Sequence, residues 1–178
     1  TVFGAGESAI SLPPSPENDR FHLSVKSVGK VTNALHQLKA GDKVGLRGPF
    51  GNGFPFEELK GKNLVYVAGG IGLIPLRSSI VHALQHREDF GRIIVLLGAR
   101  TPDDLMYQYN IEEWLKIDGF ECYVTVDRAT PDWKGETGFV HNLIEKANVP
   151  VENSVAFVCG PPIMFNAVIG ELTKRGLK

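Results

Sequence analysis

A glycine-rich turn suited to holding a phosphate follows the first strongly apolar segment of the second half of the chain. Gly69, Gly70 and Gly72 come directly after residues 63–68, and Pro75 stands at the start of the helical pattern that follows. Glycine lets the backbone come close to a ligand, and the free N–H groups of a helix N-terminus favour an anion such as a pyrophosphate. Proline suits the first helical turn, where its missing N–H has no partner to lose. The segment predicts a nucleotide site; the alternative is a strand-to-helix turn that binds nothing.

A second turn of this kind ends the last apolar segment. Cys159 closes residues 154–159, and Gly160 and Pro161 lead into the final helical pattern. Ligands of open parallel sheets gather beyond the carboxyl ends of the strands, so both turns are expected at one edge of a sheet. Cys159 would then face a nicotinamide ring. The alternative is a thiol packed in the core, where free cysteines are most often found.

A third candidate lies near the start of the chain, where Gly29 precedes a helical pattern over residues 32–38 with Thr32 as its candidate N-cap. A capped helix start offers N–H donors to a phosphate, although most such caps only begin helices. His22 and His36 have no acidic or metal-binding partner at a useful spacing, so no metal site is predicted.

The elements that must position these turns form two kinds of pattern, which meet near residue 58. Before it, residues 21–26 and 43–47 alternate apolar and polar side chains between glycine-rich turns, which predicts strands of a β-barrel or part of one. After it, apolar segments alternate with helical patterns, which predicts a doubly wound parallel sheet covered on both faces. The predicted strands are residues 63–68, 92–97, 120–126 and 154–159, and the predicted helices are 74–86, 103–116, 139–146 and 162–175.

Composition excludes some classes of function. The formal net charge is -1, so no basic surplus is present to hold a nucleic-acid backbone. The two cysteines, Cys122 and Cys159, have neither a disulfide nor a zinc spacing, which favours a reducing compartment. No apolar run reaches the roughly 18 residues of a membrane span. We predict a soluble, cytoplasmic protein, and the patterns at both ends predict that the chain is part of a longer polypeptide.

The order and spacing of the motifs resemble the ferredoxin–NADP reductase superfamily over nearly the whole chain. Finer features in residues 51–54, 98–105 and 133–135 resemble one branch, the flavin subunits of multisubunit enzymes. That branch includes the gamma subunit of hydrogenases and sulfhydrogenases, the flavin subunit of anaerobic sulfite reductase and the electron-transfer subunit of dihydroorotate dehydrogenase. The matching segments are Ile10-Ser11, Gly29-x-Val31-Thr32, Arg47-Gly48-Pro49-Phe50-Gly51, Ala68-Gly69-Gly70-Ile71-Gly72-x-x-Pro75 and Cys159-Gly160-Pro161-Pro162.

The resemblance implies a fold, two domains and two cofactors. Residues 1–58 would be the C-terminal part of a FAD-binding β-barrel, and residues 59–178 a Rossmann-like NAD(P)-binding domain that lacks its last strand. Flavin and nicotinamide would stack in the cleft between them, and larger catalytic and iron–sulfur subunits of a redox complex would be the partners. Because the two cysteines are unrelated in position, a [2Fe–2S] cluster is expected only in a part of the polypeptide outside these 178 residues.

On the flavin side, the resemblance places Ser11 beside the flavin ring near N5, where it counts with Cys159 as a catalytic residue. Ser8 stands where the family often has an arginine, and no tyrosine follows it, so a bidentate phosphate clamp is lost. The flavin-binding set is Ser8, Ile10, Ser11, Val25, Lys26, Gly29, Val31 and Thr32.

On the nicotinamide side, the two turns would hold the pyrophosphate and the ring. Asp127 follows the third strand of the second half, where a carboxylate repels a 2′-phosphate and accepts from a ribose hydroxyl; NADH is therefore favoured, with the neighbouring Arg128 as the opposing feature. The nucleotide-binding set is Gly69, Gly70, Gly72, Pro75, Arg100, Asp127, Gly160 and Pro161, with Cys159 flanking the nicotinamide.

The predicted function is hydride transfer between NAD(P)H and bound FAD, with electrons passed to partner subunits. Such a transfer needs no general acid or base, and the cofactors carry the chemistry. One alternative is a flavin-free scaffold subunit that keeps the reductase fold, which the departure at Ser8 favours. Another is a small-substrate dehydrogenase without flavin, which requires a catalytic base near Cys159, and the sequence offers no candidate.

Overall fold

The chain divides into two compact units, Thr1–Phe54 and Pro55–Lys178. The structure, a computed structural model, describes residues 1–12 and 22–177. The predicted boundary after residue 58 falls inside the short helix Phe56–Leu59, which the structure assigns to the second unit. The reason is packing: Leu59 is buried, and the ring of Phe56 stacks on His82 with 3.8 Å between centroids.

The first unit contains one helix, α1 (Lys30–Gln37), among its described residues. The predicted strands over residues 21–26 and 43–47 are wrong for the part that the structure describes, since residues 22–26 and 43–47 carry no strand; Phe21 lies outside the described residues. Alternation marks which side chains share a face, but a strand also needs a ladder of backbone bonds. Here the backbone forms isolated pairs of residues rather than a ladder. Val2 forms a single β-bridge with Gly6. The amino group of Thr1 donates to the carbonyl oxygen of Gly45, and the N–H of Gly45 donates to that of Thr1.

The second unit is a parallel five-stranded sheet with helices on both faces, which confirms the α/β class and the doubly wound sheet. The strand order is β4-β3-β2-β1-β5, so the chain moves outward from β1 in one direction and then returns to its other side. The elements after α1 are α2 (Phe56–Leu59), β1 (Asn63–Gly69), α3 (Leu73–Gln85), β2 (Ile93–Ala99), α4 (Gln108–Trp114), β3 (Phe120–Val126), β4 (Glu136–Thr137), α5 (Leu143–Lys146), β5 (Ser154–Cys159) and α6 (Pro162–Lys174).

The two central strands, β1 and β2, bury their side chains on both faces, as a parallel sheet requires. One face packs Val65 and Ile94 against Leu143 of α5 and Val168 of α6. The opposite face carries Tyr66, whose hydroxyl hydrogen-bonds Ser79 of α3 at 2.9 Å. The continuous apolar run of β1 is therefore explained by two buried faces.

The amino ends of the strands are joined by an arginine clamp. Arg92 donates two hydrogen bonds to the carboxylate of Glu121, at 2.7 and 2.9 Å, and others to the carbonyl oxygens of Ala147 and Asn148. The guanidinium holds the pKa of the Glu121 carboxyl below its usual value. This clamp ties β2, β3 and the turn after α5 together at the edge of the sheet opposite the two candidate turns.

Within the described ranges, no helix is long and apolar enough to cross a membrane. The structure also records short elements that the sequence did not predict, among them α2 and the two-residue strand β4, which pairs with the last two residues of β3. The predicted helix over residues 103–116 is divided: a 3₁₀ turn covers Pro102–Asp104, and α4 begins only at Gln108.

Candidate functional site

The glycine-rich turn joins β1 to α3 through a single 3₁₀ turn, Gly70–Gly72. Gly70 has φ +54, a left-handed conformation that glycine adopts without strain, and a Cβ there would meet no atom within 4 Å. Pro75 lies in the first turn of the thirteen-residue helix α3. The turn therefore presents bare backbone and a helix N-terminus to open space, which is what a pyrophosphate needs.

The second turn lies directly against the first, as the sequence predicted. β5 pairs in parallel with β1, and Cys159 is level with Ala68. A Cβ on Gly72 would lie 2.1 Å from the carbonyl oxygen of Cys159, so only glycine permits this contact. The two turns meet where the sheet order reverses, between β1 and β5, which is the position at which open parallel sheets bind ligands.

Met164 is a residue of this site that the sequence reasoning missed. Its sulfur would lie 2.6 Å from a Cβ on Gly69, and its Cε 2.6 Å from a Cβ on Gly160. The thioether therefore fills the space that both glycines leave and contacts both turns at once. The available signal was its place in the first turn of α6, two residues after Pro162.

Cys159 contributes its backbone to this junction, and its thiol is half-buried. Burial raises the pKa of the Cys159 thiol above its ordinary value. The thiol is therefore neutral near pH 7 and is poorly suited to act as a thiolate nucleophile. A neutral, polarisable group beside a nicotinamide is compatible with direct hydride transfer, and the catalytic role of Cys159 stays a prediction.

Charged residues follow the next two strands at the same edge. The backbone N–H of Asp127 donates to Ala99 and that of Arg128 to Arg100, each at 2.9 Å. Asp127, Arg128 and Arg100 are all exposed. The ends of β2 and β3 thus bring one carboxylate and two guanidinium groups onto neighbouring segments at the carboxyl edge of the sheet.

In the first unit, Thr32 is not the N-cap of α1. The helix begins at Lys30 with Gly29 as its N-cap, and Thr32 is its third residue. Its buried hydroxyl accepts hydrogen bonds from the N–H groups of Val28 and Gly29, at 3.0 and 2.9 Å, and donates to the carbonyl oxygen of Gly29. A threonine three residues into a helix reaches back to the cap backbone, a role that the spacing alone did not distinguish from capping itself.

The other residues predicted to hold flavin also belong to the first unit. Arg47 pairs with Glu7 at 2.5 Å beside Ser8 and holds the pKa of the Glu7 carboxyl below its usual value. His36 hydrogen-bonds the carbonyl oxygen of Val25 at 2.7 Å. The flavin-binding roles stay predictions for the set named from the sequence, which is Ser8, Ile10, Ser11, Val25, Lys26, Gly29, Val31 and Thr32. Ser8, Ser11, Lys26 and Gly29 are exposed, whereas Ile10, Val25 and Val31 are half-buried.

Metal-binding groups are not gathered anywhere in the described ranges: no three His, Cys, Asp or Glu side chains lie where they could hold one ion.

Comparisons with known proteins agree with this geometry. Residues 66–169 match the family model described as the oxidoreductase NAD-binding domain. The chain is 36% identical over 188 residues to the gamma subunit of sulfhydrogenase 2 from Pyrococcus furiosus, covering 99% of this chain and 65% of that subunit. It therefore spans less than two thirds of the length of that relative.

Two solved structures share the fold. The cytochrome b5 reductase domain of Ulva prolifera nitrate reductase matches with a TM-score of 0.72 and 30% identity, over 84% of this chain and 61% of that one. A ferredoxin NADP+ reductase from Neisseria gonorrhoeae, solved with bound FAD and NADP, matches with a TM-score of 0.71 over 95% of this chain and 72% of that one. Its 20% identity makes it evidence for the fold alone.

Proposed function

Because the chain belongs to the family of the oxidoreductase NAD-binding domain, as its resemblance to ferredoxin–NADP reductases predicts, we propose that it moves hydride between NAD(P)H and bound FAD. It then passes electrons to partner subunits of a larger redox complex, as a diaphorase-type subunit. The observation that carries the proposal is the contact between the two glycine turns at the switch point of the sheet. The sulfhydrogenase relative, itself a gamma subunit, supports the proposal of partner subunits. The proposal keeps the cytoplasmic location predicted from the two cysteines.

The residues of the second unit fit a dinucleotide. Gly70 leaves open space above a left-handed backbone, and α3 supplies first-turn N–H groups to the pyrophosphate. Cys159 and Gly160 would flank the nicotinamide, and Met164 contacts both turns. Once bound, FAD and NAD(P)H supply the hydride chemistry, and the chain binds and orients them.

The fit to flavin is weaker on one count. The hydroxyl of Thr32 and the N–H of Gly29 are already paired with each other, so neither is free for a phosphate in this conformation. The first-turn N–H groups of α1 are the donors that remain for a phosphate there. Together with Ser8 in place of an arginine, this observation favours the second candidate, a flavin-free scaffold subunit with the reductase fold.

An absorbance spectrum of the native full-length protein, followed by anaerobic titration with NADH and then NADPH, separates the two candidates. We expect flavin bands that bleach on addition of NADH, since the reduced flavin loses its visible absorbance. A colourless protein that responds to neither nucleotide after FAD is added would reject the hydride-transfer proposal and favour the scaffold.

Preference for NADH is part of the proposal, and Asp127→Asn tests it. The Asp127 carboxylate would repel a 2′-phosphate beside it. Removing the charge is therefore expected to raise kcat/KM for NADPH by about tenfold, which is the size of one screened charge contact. The value of kcat/KM for NADH should stay within about twofold. Steady-state rates with both nucleotides measure the effect. Asp118→Asn, the same change at an exposed position just before β3 begins, is the matched control. Unchanged or slower NADPH turnover in Asp127→Asn would contradict a role for this carboxylate.

A further inference from the structure

Trp133 is the half-buried side chain in the segment that runs from the end of β3 through β4. Every residue from 127 to 137 is exposed except Trp133, which is half-buried. The same segment begins with Asp127 and Arg128, the charged residues proposed to meet the ribose of the nucleotide. An exposed loop that must hold charges in fixed places needs contacts at its ends and in its middle, and the indole is the half-buried group of its middle.

The indole folds back over its own loop. Its Nε1–H donates to the carbonyl oxygen of Glu136 at 2.9 Å. A Cβ on Gly135 would lie 2.4 Å from Cζ2 of the ring, so the ring rests directly on the glycine. The backbone N–H of Trp133 also donates to the carbonyl oxygen of Thr130 at 3.0 Å, which closes a turn. The ring thus ties the middle of the loop to its far end.

Both ends of the loop are attached to the sheet. At the far end, Glu136 pairs with Thr125 of β3, and its carboxylate forms an ion pair with Lys146. At the near end, the N–H groups of Asp127 and Arg128 donate to the end of β2. Between these attachments, residues 129–132 are all exposed, and Trp133 is the half-buried residue that follows them.

We propose that Trp133 is a positioning residue for nucleotide discrimination, an inference that rests on the proposed function. Seated on Gly135, the indole holds the loop in the conformation that presents Asp127 and Arg128 to the ribose. Losing it frees both side chains to move, which weakens nucleotide binding and blurs the choice between NADH and NADPH. The rate of hydride transfer from bound nucleotide is unaffected, because the nicotinamide ring would lie at the other turns, beside Cys159 and Gly160.

The test uses the full-length protein in its native complex and compares Trp133→Ala and Trp133→Phe with wild type, with NADH and NADPH as substrates. In Trp133→Ala we expect KM for the preferred nucleotide to rise about fivefold, kcat to stay within about twofold, and the ratio of kcat/KM values to move about fivefold toward unity. Trp133→Phe keeps a ring but loses the hydrogen bond, so its KM and its ratio of kcat/KM values are expected to lie between those of the wild type and of Trp133→Ala. Trp114→Phe is the matched control, because Trp114 is the chain's other tryptophan and packs on Phe120.

The outcomes separate the inference from the function it rests on. Oxidation of neither nucleotide by the wild type rejects the proposed function. Turnover of both with an unchanged ratio in Trp133→Ala, or a lowered kcat with unchanged KM, rejects the inference alone. If Trp133→Ala does not fold, Gly135→Ala replaces it, since the added Cβ displaces the ring and the same shift in the ratio is expected.

Discussion

Replacing Gly72 with alanine is expected to lower the rate of NADH oxidation by about a hundredfold, the effect of displacing a binding group by roughly 1 Å. The new Cβ would lie 2.1 Å from the carbonyl oxygen of Cys159 and 2.6 Å from its carbonyl carbon. These atoms belong to the backbone of β5, which has no flexible end to move aside. The two turns must therefore separate, and a nucleotide bound as we propose would lose the surface that both present.

The backbone conformation of Gly72 isolates this effect as steric. Its φ of -61 and ψ of -15 are helical values that alanine adopts freely, so no conformational strain is added. Overpacking at such a contact costs about 1–3 kcal/mol of stability, which thermal unfolding measures separately from the rate.

Gly170→Ala is the matched control in the same unit. Gly170 lies in α6, and a Cβ there would meet no atom within 4 Å. Because alanine favours a helix interior by about 0.5–1 kcal/mol over glycine, this variant should be slightly more stable and equally active. Activity of Gly72→Ala within tenfold of the wild type would contradict a functional junction between the turns.

The centre of the sheet could be predicted from the sequence because β1 and β2 are buried on both faces. β3 and β5 have the predicted limits, Phe120–Val126 and Ser154–Cys159; β5 is a near-continuous apolar run, and β3 is mostly apolar but includes Glu121 and Thr125. The meeting of the two turns followed from parallel pairing alone, since parallel strands end at the same edge. Burial on two faces leaves a strong signal, and the position of the site depends on that signal.

What the sequence could not indicate depends on contacts between distant residues. Met164 fills a gap between two glycines, and nothing in its own neighbourhood specifies a partner as far away as Gly69. Tyr107 divides the predicted helix, because its φ of +57 is left-handed. The guanidinium carbon of Arg77 lies 4.8 Å from the centroid of the Tyr107 ring. A left-handed tyrosine held by a residue of another helix has no local pattern.

The first unit shows the same limit for strands. Alternation over residues 43–47 describes one side of a pleated segment, but pairing requires a neighbour, and the structure supplies contact there through Thr1 and Gly45. Local patterns therefore predicted the second unit, where the strands pair in one parallel sheet, better than the first.

Alkaline pH is expected to destabilise the second unit, by about 4 kcal/mol between pH 9 and pH 11. Burial raises the pKa of the Cys122 thiol to about 12 and that of the Tyr66 phenol to about 12, from ordinary values of 9.0 and 10.0. Above those ordinary values the unfolded chain releases its protons while the folded chain keeps them. Stability is therefore fully present below pH 9 and is lost as pH rises toward 12.

The thiol contributes about 3 kcal/mol of this loss at pH 11 and the phenol about 1 kcal/mol, at 1.36 kcal/mol for each pH unit beyond the ordinary pKa. Urea unfolding at a series of pH values, with a reductant present, measures how steeply the free energy of unfolding falls with pH.

The double variant Cys122→Ala, Tyr66→Phe should be less stable than the wild type at pH 7, since it leaves a cavity beside β3 and removes the partner of the Ser79 hydroxyl. Its stability should nevertheless change much less between pH 9 and pH 11. Tyr109→Phe, which alters an exposed ring, is expected to keep the wild-type slope. An equal slope in the double variant and the wild type would mean that these two buried acids do not govern the alkaline limit of the fold.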